Sequence, residues 1–336
     1  MTFLQVQFEA FNTNIQLSDI EDNSVLREKR KMLVDEIKKW CKDNDKPSFD
    51  DFPQGSYSMN TGIMPMEGED YDIDIGLLFN IDIDDYKDPV EVKEWVYDAL
   101  DRYPRTVEMK TPCVRVQYHE KGEVAYHVDF AIYGKNLDFL GNVSYLALAK
   151  GKLHSAVETR VWDKSSPYEL KKLIREKFSG EERPQFKRAI RYLKRWKDFK
   201  FSPEGNERPT GIAMTAMAYN WFVPVINDGY PDDFTAITDL VEKICSNNYG
   251  LDVRLPVIPY NDLHAKLKQS INNRDNYITK LKKLRDILVE AGEEDDEHEA
   301  AKKLQKVFGD DFPVPDKKMS ARVTGAPAIT TSGASA

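Results

Sequence analysis

Apolar positions at helical spacing mark the first clear element of the chain. Leu26, Leu33, Ile37 and Trp40 recur along one stripe within residues 18–43. A stripe of this kind buries one face of a helix, so the segment is predicted to form one long helix. From about residue 165 the pattern is helical for most of the remaining chain. Further helices are expected near 183–200, 210–223, 233–247, 261–291 and 295–308.

Extended patterns are concentrated before residue 150. Residues 112–119 and 123–133 read as two strands separated by a Lys-Gly turn. In the second strand Val128 and Phe130 alternate with polar or small residues, so Asp129 points to the face opposite the apolar set. An acidic side chain at such a position indicates a specific role.

This order of elements predicts an α+β fold with two lobes. Residues 1–165 are expected to form a lobe with a mixed β-sheet, with the long helix as a spine between the lobes, and residues 166–312 a helical lobe. Residues 313–336 are rich in Pro, Ser, Thr, Ala and Gly and are expected to form a flexible tail. A ligand cleft would lie between the two lobes.

Composition narrows the function classes. Lys plus Arg number 48 and Asp plus Glu 57 in 336 residues, a formal net charge of −9, with 41% hydrophobic residues. This content suffices for a folded core. A net-negative chain is a poor general binder of long nucleic acid, which requires clustered cations. Phosphate chemistry here would therefore need a local basic patch or a metal ion.

The number and spacing of the cysteines, and the lack of a long apolar stretch, indicate where in the cell the protein is expected. Cys41, Cys113 and Cys245 are odd in number and far apart, which argues against a disulfide framework and a cysteine-based zinc site. The N-terminal segment lacks the features of a secretion signal, and no stretch reaches the length of a membrane span. We expect a cytoplasmic protein without membrane association.

Three aspartates are the candidate metal ligands. Asp72 and Asp74 stand two apart in an extended segment, so both carboxylates project from one face of a strand. Carboxylates this close repel each other unless a cation lies between them, and hard oxygen ligands suit Mg²⁺. Asp129 from a neighbouring strand would complete a two-metal site. Upstream, Gln54-Gly55-Ser56-Tyr57 reads as a strand-to-helix turn in which the backbone and the serine hydroxyl can bind phosphate.

Each signal has a simpler structural interpretation. An Asp-x-Asp pair is more often a solvated loop edge, and Gly-Ser is usually a plain turn. Their combination at this spacing favours function. Residues 183–200 carry eight basic residues and one acid, which is usually a solvated helix face. In an acidic chain this cluster, which includes Lys187, Arg191 and Lys194, favours phosphate contact.

Taken together, the motifs resemble a known family. They are QGSYSMNT at 54–61, EDYDIDIGLLF at 69–79, YHVDFAIY at 126–133, YLKRWKD at 192–198 and KVFGDDFPV at 306–314. The arrangement is similar to the polymerase-β-like nucleotidyltransferases, and specifically to the bacterial cGAS/DncV-like nucleotidyltransferases. That family makes cyclic oligonucleotide signals in CBASS anti-phage defence.

The resemblance implies the site and the reaction. Asp72, Asp74 and Asp129 would hold two Mg²⁺ ions, with Mn²⁺ as an alternative, and a ribose hydroxyl would attack the α-phosphorus of a second nucleotide. ATP, GTP or related nucleotides would be joined into a cyclic di- or trinucleotide with release of pyrophosphate. The implied nucleotide-binding positions are Gln54, Gly55, Ser56, Tyr57, Lys194 and Thr210.

Two alternatives and one partner stay open. The chain could be a linear or tRNA-modifying nucleotidyltransferase of the same superfamily, although it lacks a basic RNA-binding extension, or a catalytically silent nucleotide-binding scaffold. Some family members are conjugated through their C-terminus by ubiquitin-transfer-like partners, which would place the modification at Ala336. An unselected, disordered end is the simpler explanation of that tail.

Overall fold

The computed structural model describes residues 3–17, 22–69, 71–102, 105–120, 123–203 and 205–317. Within these ranges it does not describe the side chains of residues 22–27, 71–72, 119–120 and 123–126. Most of the predicted tail, including Ala336, therefore lies outside the described residues, and so does the Asp72 side chain.

The N-terminal half of the chain forms a seven-stranded mixed sheet. The strands are β1 (Phe49–Pro53), β2 (Tyr71–Asp82), β3 (Thr106–Met109), β4 (Val114–Glu120), β5 (Glu123–Leu137), β6 (Val143–Lys150) and β7 (Val161–Ser165), and a separate hairpin is formed by β8 (Ile226–Asn227) and β9 (Tyr230–Pro231). The sheet order is β1-β2-β5-β4-β3, and β6 pairs with both β5 and β7. The β2–β5 pair is parallel and the other pairs are antiparallel, which confirms the predicted α+β class.

Helices make up most of the C-terminal half. The α-helices are α1 (Gln5–Ile15), α2 (Asp22–Asp43), α3 (Gly55–Ser58), α4 (Pro89–Leu100), α5 (Pro167–Glu176), α6 (Glu182–Lys200), α7 (Gly211–Trp221), α8 (Asp233–Ser246), α9 (Ala265–Lys268), α10 (Ile271–Gly292) and α11 (Glu297–Phe308), with 3₁₀ turns at Val157–Thr159 and Asn248–Gly250. The region expected to be one helix over 261–291 is divided into α9 and α10. The division lies at Ser270, which has an extended backbone. Its hydroxyl caps α10 by accepting a hydrogen bond from the Asn273 N–H.

One face of the sheet is covered by α2 and α4. Val128 and Phe130 of β5 are fully buried there, together with Leu33 and Ile37 of α2. Alternation along β5 therefore turns Asp129 to the other face, as the sequence pattern predicts. This second face is the one that faces the helical lobe.

The first helix gives the molecule its connection between lobes. Phe8, Phe11 and Ile15 of α1 are fully buried in the core of the helical lobe, where the rings of Phe8 and Phe11 pack against Tyr192. The buried residues of α2 lie in the sheet core instead. The buried residues of α2 therefore pack against the sheet, and the expectation that this helix is a spine between the lobes stays a prediction. The division of the chain at residue 165 stays a prediction, and α1 packs across it.

In the part of the chain that the structure describes, no helix is long and apolar enough to cross a membrane.

Candidate functional site

A cavity of about 900 Å³ lies between the sheet and the helical lobe. Its walls come from the β1–α3 turn, the start of β2, α6 and the segment that leads into α7. The lining includes Gly55, Ser56, Tyr57, Asp74, Lys194 and Thr210. Six of the nine predicted site residues therefore line one cavity. The other three predicted site residues are Asp72, Asp129 and Gln54.

Strand pairing brings the carboxylate positions together. Asp74 lies opposite Asp129 in the parallel β2–β5 ladder, and Asp72 lies opposite His127. Neighbouring strands are about 4.8 Å apart, and side chains at paired positions project to the same face of the sheet. The backbone therefore places the three aspartate positions on one face of the sheet, and Asp129, although its side chain is described, is not among the residues that line the cavity. The side chain of Asp74 is half-buried and lines it.

Asp129 is held by an arginine that sequence reasoning did not identify. Arg115 of β4 pairs with Asp129 in the antiparallel β4–β5 ladder, and its Nε and Nη2 donate to the two carboxylate oxygens at 2.7 Å each. These two charge-assisted hydrogen bonds fix the orientation of the carboxylate. The residue is only 9% exposed. Arg115 itself lines the cavity. Its alternation within the predicted strand over 112–119 was the available signal, but its partner depends on the strand register.

The turn before α3 needs glycine for two reasons. Gly55 has a φ of +65°, in the left-handed region, and a Cβ built there would lie 1.8 Å from Oδ2 of Asp74. Any larger residue would therefore strain the backbone and displace the carboxylate. The backbone N–H of Gln54 donates to the Asp74 carbonyl at 3.1 Å, which ties the turn to β2. The turn at Gly55 and the strand that carries Asp74 are therefore in direct contact.

The other turn residues divide between the cavity and its support. Ser56 and Tyr57 line the cavity, as expected for nucleotide-binding residues. Gln54 does not line it: its Oε1 accepts from the buried Tyr133 hydroxyl at 2.9 Å. Burial raises the pKa of that tyrosine, so it stays a protonated donor. In this structure Gln54 therefore positions the turn through β5.

Lys194 borders the cavity but already has a protein partner. Its Nζ donates to the Thr61 carbonyl at 2.8 Å and is 3.3 Å from the Thr61 hydroxyl. The residue is 5% exposed, and burial lowers the pKa of its ammonium group to about 7, with nearby Lys197 adding repulsion. A nucleotide phosphate would favour the charged form of this lysine.

Thr210 has a structural role that the sequence reading did not predict. It is the N-cap of α7, and its hydroxyl accepts from the Ala213 N–H at 3.3 Å. The side chain also lines the cavity. Thr210 is thus hydrogen-bonded within its own helix, whereas Lys194 is hydrogen-bonded to Thr61.

Basic residues of the helical lobe hold the loop that joins α3 to β2. Arg191 donates to the Asn60 carbonyl at 2.8 Å and Arg195 to the Met64 carbonyl at 2.9 Å. Further along, Arg208 pairs with Glu69 at 2.9 Å. Together with Lys194, these cations satisfy carbonyl groups and an acid of the loop over residues 60–69. Much of the positive charge that the sequence assigned to phosphate binding is therefore used inside the protein.

The predicted metal site requires three carboxylates, and the structure describes the side chains of two of them, Asp74 and Asp129. Among residues whose side chains are described, no group of three His, Cys, Asp or Glu side chains is placed to hold a metal ion. Because the Asp72 side chain lies outside that part, the three-carboxylate set stays a prediction. The donor chemistry fits: Asp74 and Asp129 share a face of adjacent strands and offer the hard carboxylate oxygens that Mg²⁺ prefers.

Two family models match this chain. Residues 48–133 match the model described as cyclic GMP-AMP synthase DncV-like, nucleotidyltransferase domain, and residues 184–320 match cyclic GMP-AMP synthase, C-terminal domain. These ranges contain every predicted site residue.

Solved structures of a Vibrio cholerae protein have the same fold. The cyclic AMP-GMP synthase DncV aligns with a TM-score of 0.72 at 18% identity, over 93% of this chain and 98% of that one. Its complex with the linear intermediate 5′-pppA(3′,5′)pG aligns with a TM-score of 0.69 at 18% identity, over 93% and 97%. The complex with nonhydrolyzable GTP has a TM-score of 0.68 at 20% identity, over 93% and 97%.

Proposed function

Because this chain belongs to the cGAS/DncV-like nucleotidyltransferase family, we propose that it joins ATP, GTP or related nucleotides into a cyclic di- or trinucleotide and releases pyrophosphate. The observation that carries the proposal is the pairing of Asp74 with Asp129 on adjacent strands, next to the Gly55 turn, at an inter-lobe cavity that Asp74 and Gly55 line. The related Vibrio cholerae structures with a linear dinucleotide intermediate and with a GTP analogue support the choice of substrates.

The size and setting of the cavity favour small nucleotides over a long strand. Its volume of about 900 Å³ is near the upper end of the roughly 300–1,000 Å³ of small-molecule sites. That is room for more than one small ligand. The net charge of −9 argues against an extended groove for nucleic acid, since such binding depends on many phosphate contacts.

The residues of the turn supply the grip on the phosphate chain. Gly55 lets the backbone approach closely, and the Ser56 hydroxyl lines the cavity beside it. Lys194, on the opposite wall, adds a cation whose protonation a phosphate would favour. These contacts would hold the donor nucleotide with its α-phosphorus near the aspartates.

The carboxylates would hold Mg²⁺, with Asp72 and Asp74 on one strand and Asp129 on the next. When bound, the metal lowers the pKa of the attacking hydroxyl and neutralises charge on the leaving pyrophosphate. Arg115 keeps both oxygens of Asp129 oriented before substrate arrives. Gly55 keeps space for the Asp74 carboxylate.

In the reaction, a ribose hydroxyl of the acceptor nucleotide forms a bond to the donor α-phosphorus. The bond from that phosphorus to the β-phosphate oxygen breaks, pyrophosphate leaves, and the hydroxyl gives up its proton. For a dinucleotide, a second transfer closes the ring: the remaining ribose hydroxyl of the linear product attacks the α-phosphorus of its 5′-triphosphate. This step releases a second pyrophosphate.

One assay separates the candidate functions. Purified protein is incubated with labelled nucleoside triphosphates and Mg²⁺, and the products are treated with phosphatase. A phosphatase-resistant product of defined size supports ring formation. A ladder of lengths would indicate the linear polymerase instead, and no turnover with any nucleotide combination would leave only the silent scaffold.

The role in anti-phage defence and the modification of Ala336 belong to the same proposal. Cells carrying the intact system or its Asp74→Asn version can be challenged with phage, and protection should require the aspartate. Mass spectrometry of the protein co-expressed with its neighbouring genes tests conjugation. An unmodified C-terminus under all conditions would remove that part of the proposal.

A further inference from the structure

A second, smaller cavity adjoins the main one. Its volume is about 270 Å³, and it shares Leu17, Tyr57 and Gly62 with the lining of the larger cavity. Tyr57 follows Ser56 in α3, so the small cavity begins next to the turn that would hold the phosphate chain. Nothing in the proposed reaction uses this space.

The wall formed by α6 is positively charged. Arg183, Lys187 and Arg191 stand four residues apart and therefore follow one face of the helix. The remaining described lining consists of apolar, glycine, proline, amide and tyrosine residues, without a carboxylate. Three cations thus border a small space that offers them no anionic side chain among the described residues.

These cations differ in how far the protein satisfies them. Arg191 donates to the Asn12 side chain at 2.7 Å and to the Asn60 carbonyl, and Arg183 donates to the Phe178 carbonyl at 2.7 Å. Lys187 forms no hydrogen bond or ion pair with another described residue. The ammonium group is therefore available to a ligand.

Lys187 also experiences repulsion. Partial burial lowers the pKa of its ammonium group, and Arg175, Arg183 and Arg191 lower it further. Four like charges in one neighbourhood are unfavourable unless an anion enters. The cavity is too small for a peptide or a nucleic-acid strand, but a phosphate or pyrophosphate group fits a space of this size.

We propose that the cavity lined by Arg183, Lys187 and Arg191 binds a polyphosphate anion. Two sources share this chemistry: the pyrophosphate released in the neighbouring cavity, and the phosphate tail of a further nucleotide. The link to pyrophosphate rests on the proposed function, whereas binding of the anion itself does not. The continuity of the two cavities through Tyr57 and Gly62 favours the released product.

Direct titration tests the site. Full-length protein is first saturated with a non-hydrolysable ATP analogue, so that the main cavity is filled, and inorganic pyrophosphate is then titrated by calorimetry. We expect one further binding event. Lys187→Gln and Arg183→Gln should each weaken it about tenfold, the value of one lost charge-assisted hydrogen bond. Binding should also weaken as salt is raised.

Lys200→Gln is the matched control. Lys200 is also on α6 and also lies near two other lysines, Lys280 and Lys283, but it does not line either cavity. Its removal should leave pyrophosphate affinity unchanged. Melting temperatures show that the variants fold, and without anion Lys187→Gln should melt at or above the wild type because a repulsive charge is gone.

The outcomes separate this site from the reaction. If pyrophosphate does not bind but a second equivalent of the analogue does, and the two variants weaken it, the source is a nucleotide tail. If the wild type and the two variants bind every anion equally, the proposal is wrong. Since no step requires turnover, an enzyme that makes no product could still bind pyrophosphate here, which would contradict the proposed function alone.

Discussion

The sequence marks both the acidic face of the sheet and the basic helix α6 as candidate functional surfaces. Their charged side chains differ in the partners that they have in the structure. The carboxylate positions on β2 and β5 lie side by side on one face of the sheet, and Asp74 lines the cavity there. Three cations of α6, Arg191, Lys194 and Arg195, are buried and donate to the loop over residues 60–69. Arg191 also lines the small cavity, together with Arg183 and Lys187.

The difference has a physical cause. A strand exposes every second side chain to one face, so two aspartates two residues apart remain neighbours wherever the strand lies. A long cationic side chain has several reachable partners, and a buried one must satisfy its charge within the protein. Alternation along a strand therefore predicts the position of a carboxylate more reliably than a cluster of basic residues predicts the partners of a lysine.

The largest effect should come from the sheet. Asp74→Asn keeps the shape of the side chain but removes its charge, and turnover should fall by about 10³-fold, because metal-assisted charge stabilisation contributes several kcal/mol. The melting temperature should change little. Asp82→Asn, at the far end of the same strand, is the control and should retain activity. Product formation is measured with labelled nucleotides.

The turn that faces Asp74 should be nearly as sensitive. Gly55→Ala puts a methyl group where Oδ2 of Asp74 now lies and forces a left-handed backbone, so unfolding free energy should fall by about 2 kcal/mol. Turnover should fall by about 10²-fold through displacement of the carboxylate. Gly141→Ala isolates the backbone effect, since Gly141 has a φ of +80° and open space around it. Denaturant melts and rates together separate the two contributions.

Arg115 tests the orientation of the third carboxylate. Arg115→Met leaves Asp129 without its two charge-assisted hydrogen bonds, and turnover should fall between tenfold and 100-fold, roughly 1.4 to 2.8 kcal/mol. Arg115→Lys should recover part of the rate because it restores one donor. Arg102→Gln removes an exposed arginine that pairs with Glu36 and should have little effect. Equal rates for Arg115→Met and the wild type would contradict the positioning role.

Lys194 should show its environment in pH-dependent binding. With a pKa of about 7, its amine is mostly neutral above that pH in the free protein and mostly charged below it. If a bound triphosphate raises this pKa well above 8, binding at pH 8 should take up about 0.9 proton at Lys194, and at pH 6 only about 0.1. Calorimetry in buffers of different ionisation heat measures the uptake. The difference between wild type and Lys194→Met isolates this residue, and no difference would contradict the assignment.

The smallest effect is expected at the helix cap. Thr210→Ala removes the acceptor for the Ala213 N–H and should lower unfolding free energy by about 1 kcal/mol. If capping is its whole role, Thr210→Ser restores stability and nucleotide affinity is unchanged in both variants. A large loss of affinity in Thr210→Ala at unchanged stability would show instead that the hydroxyl contacts the ligand.

Most of the fold and part of the site follow from local patterns. The alternation in β5 and the Gly-Ser turn are short-range features, and each is found where the sequence predicts it. The position of Asp129 on the cavity face is a consequence of the first feature.

Long-range partners could not be predicted in the same way. The pairing of Arg115 with Asp129 depends on strand register, and that of Lys194 with Thr61 depends on how the loop folds back on α6. The packing of α1 in the helical core joins residues almost 200 positions apart, such as Phe8 and Tyr192. A single sequence contains no local signal for any of these contacts.

The central claim is that the three aspartates hold divalent metal beside a nucleotide phosphate chain. A crystal structure with Mn²⁺ and a non-hydrolysable nucleotide, with anomalous data to locate the metal, tests it directly. The account predicts anomalous peaks in contact with Asp72, Asp74 and Asp129, and the phosphate chain against Gly55 and Ser56. Metal bound elsewhere, or a nucleotide whose phosphates lie away from this turn, would contradict it.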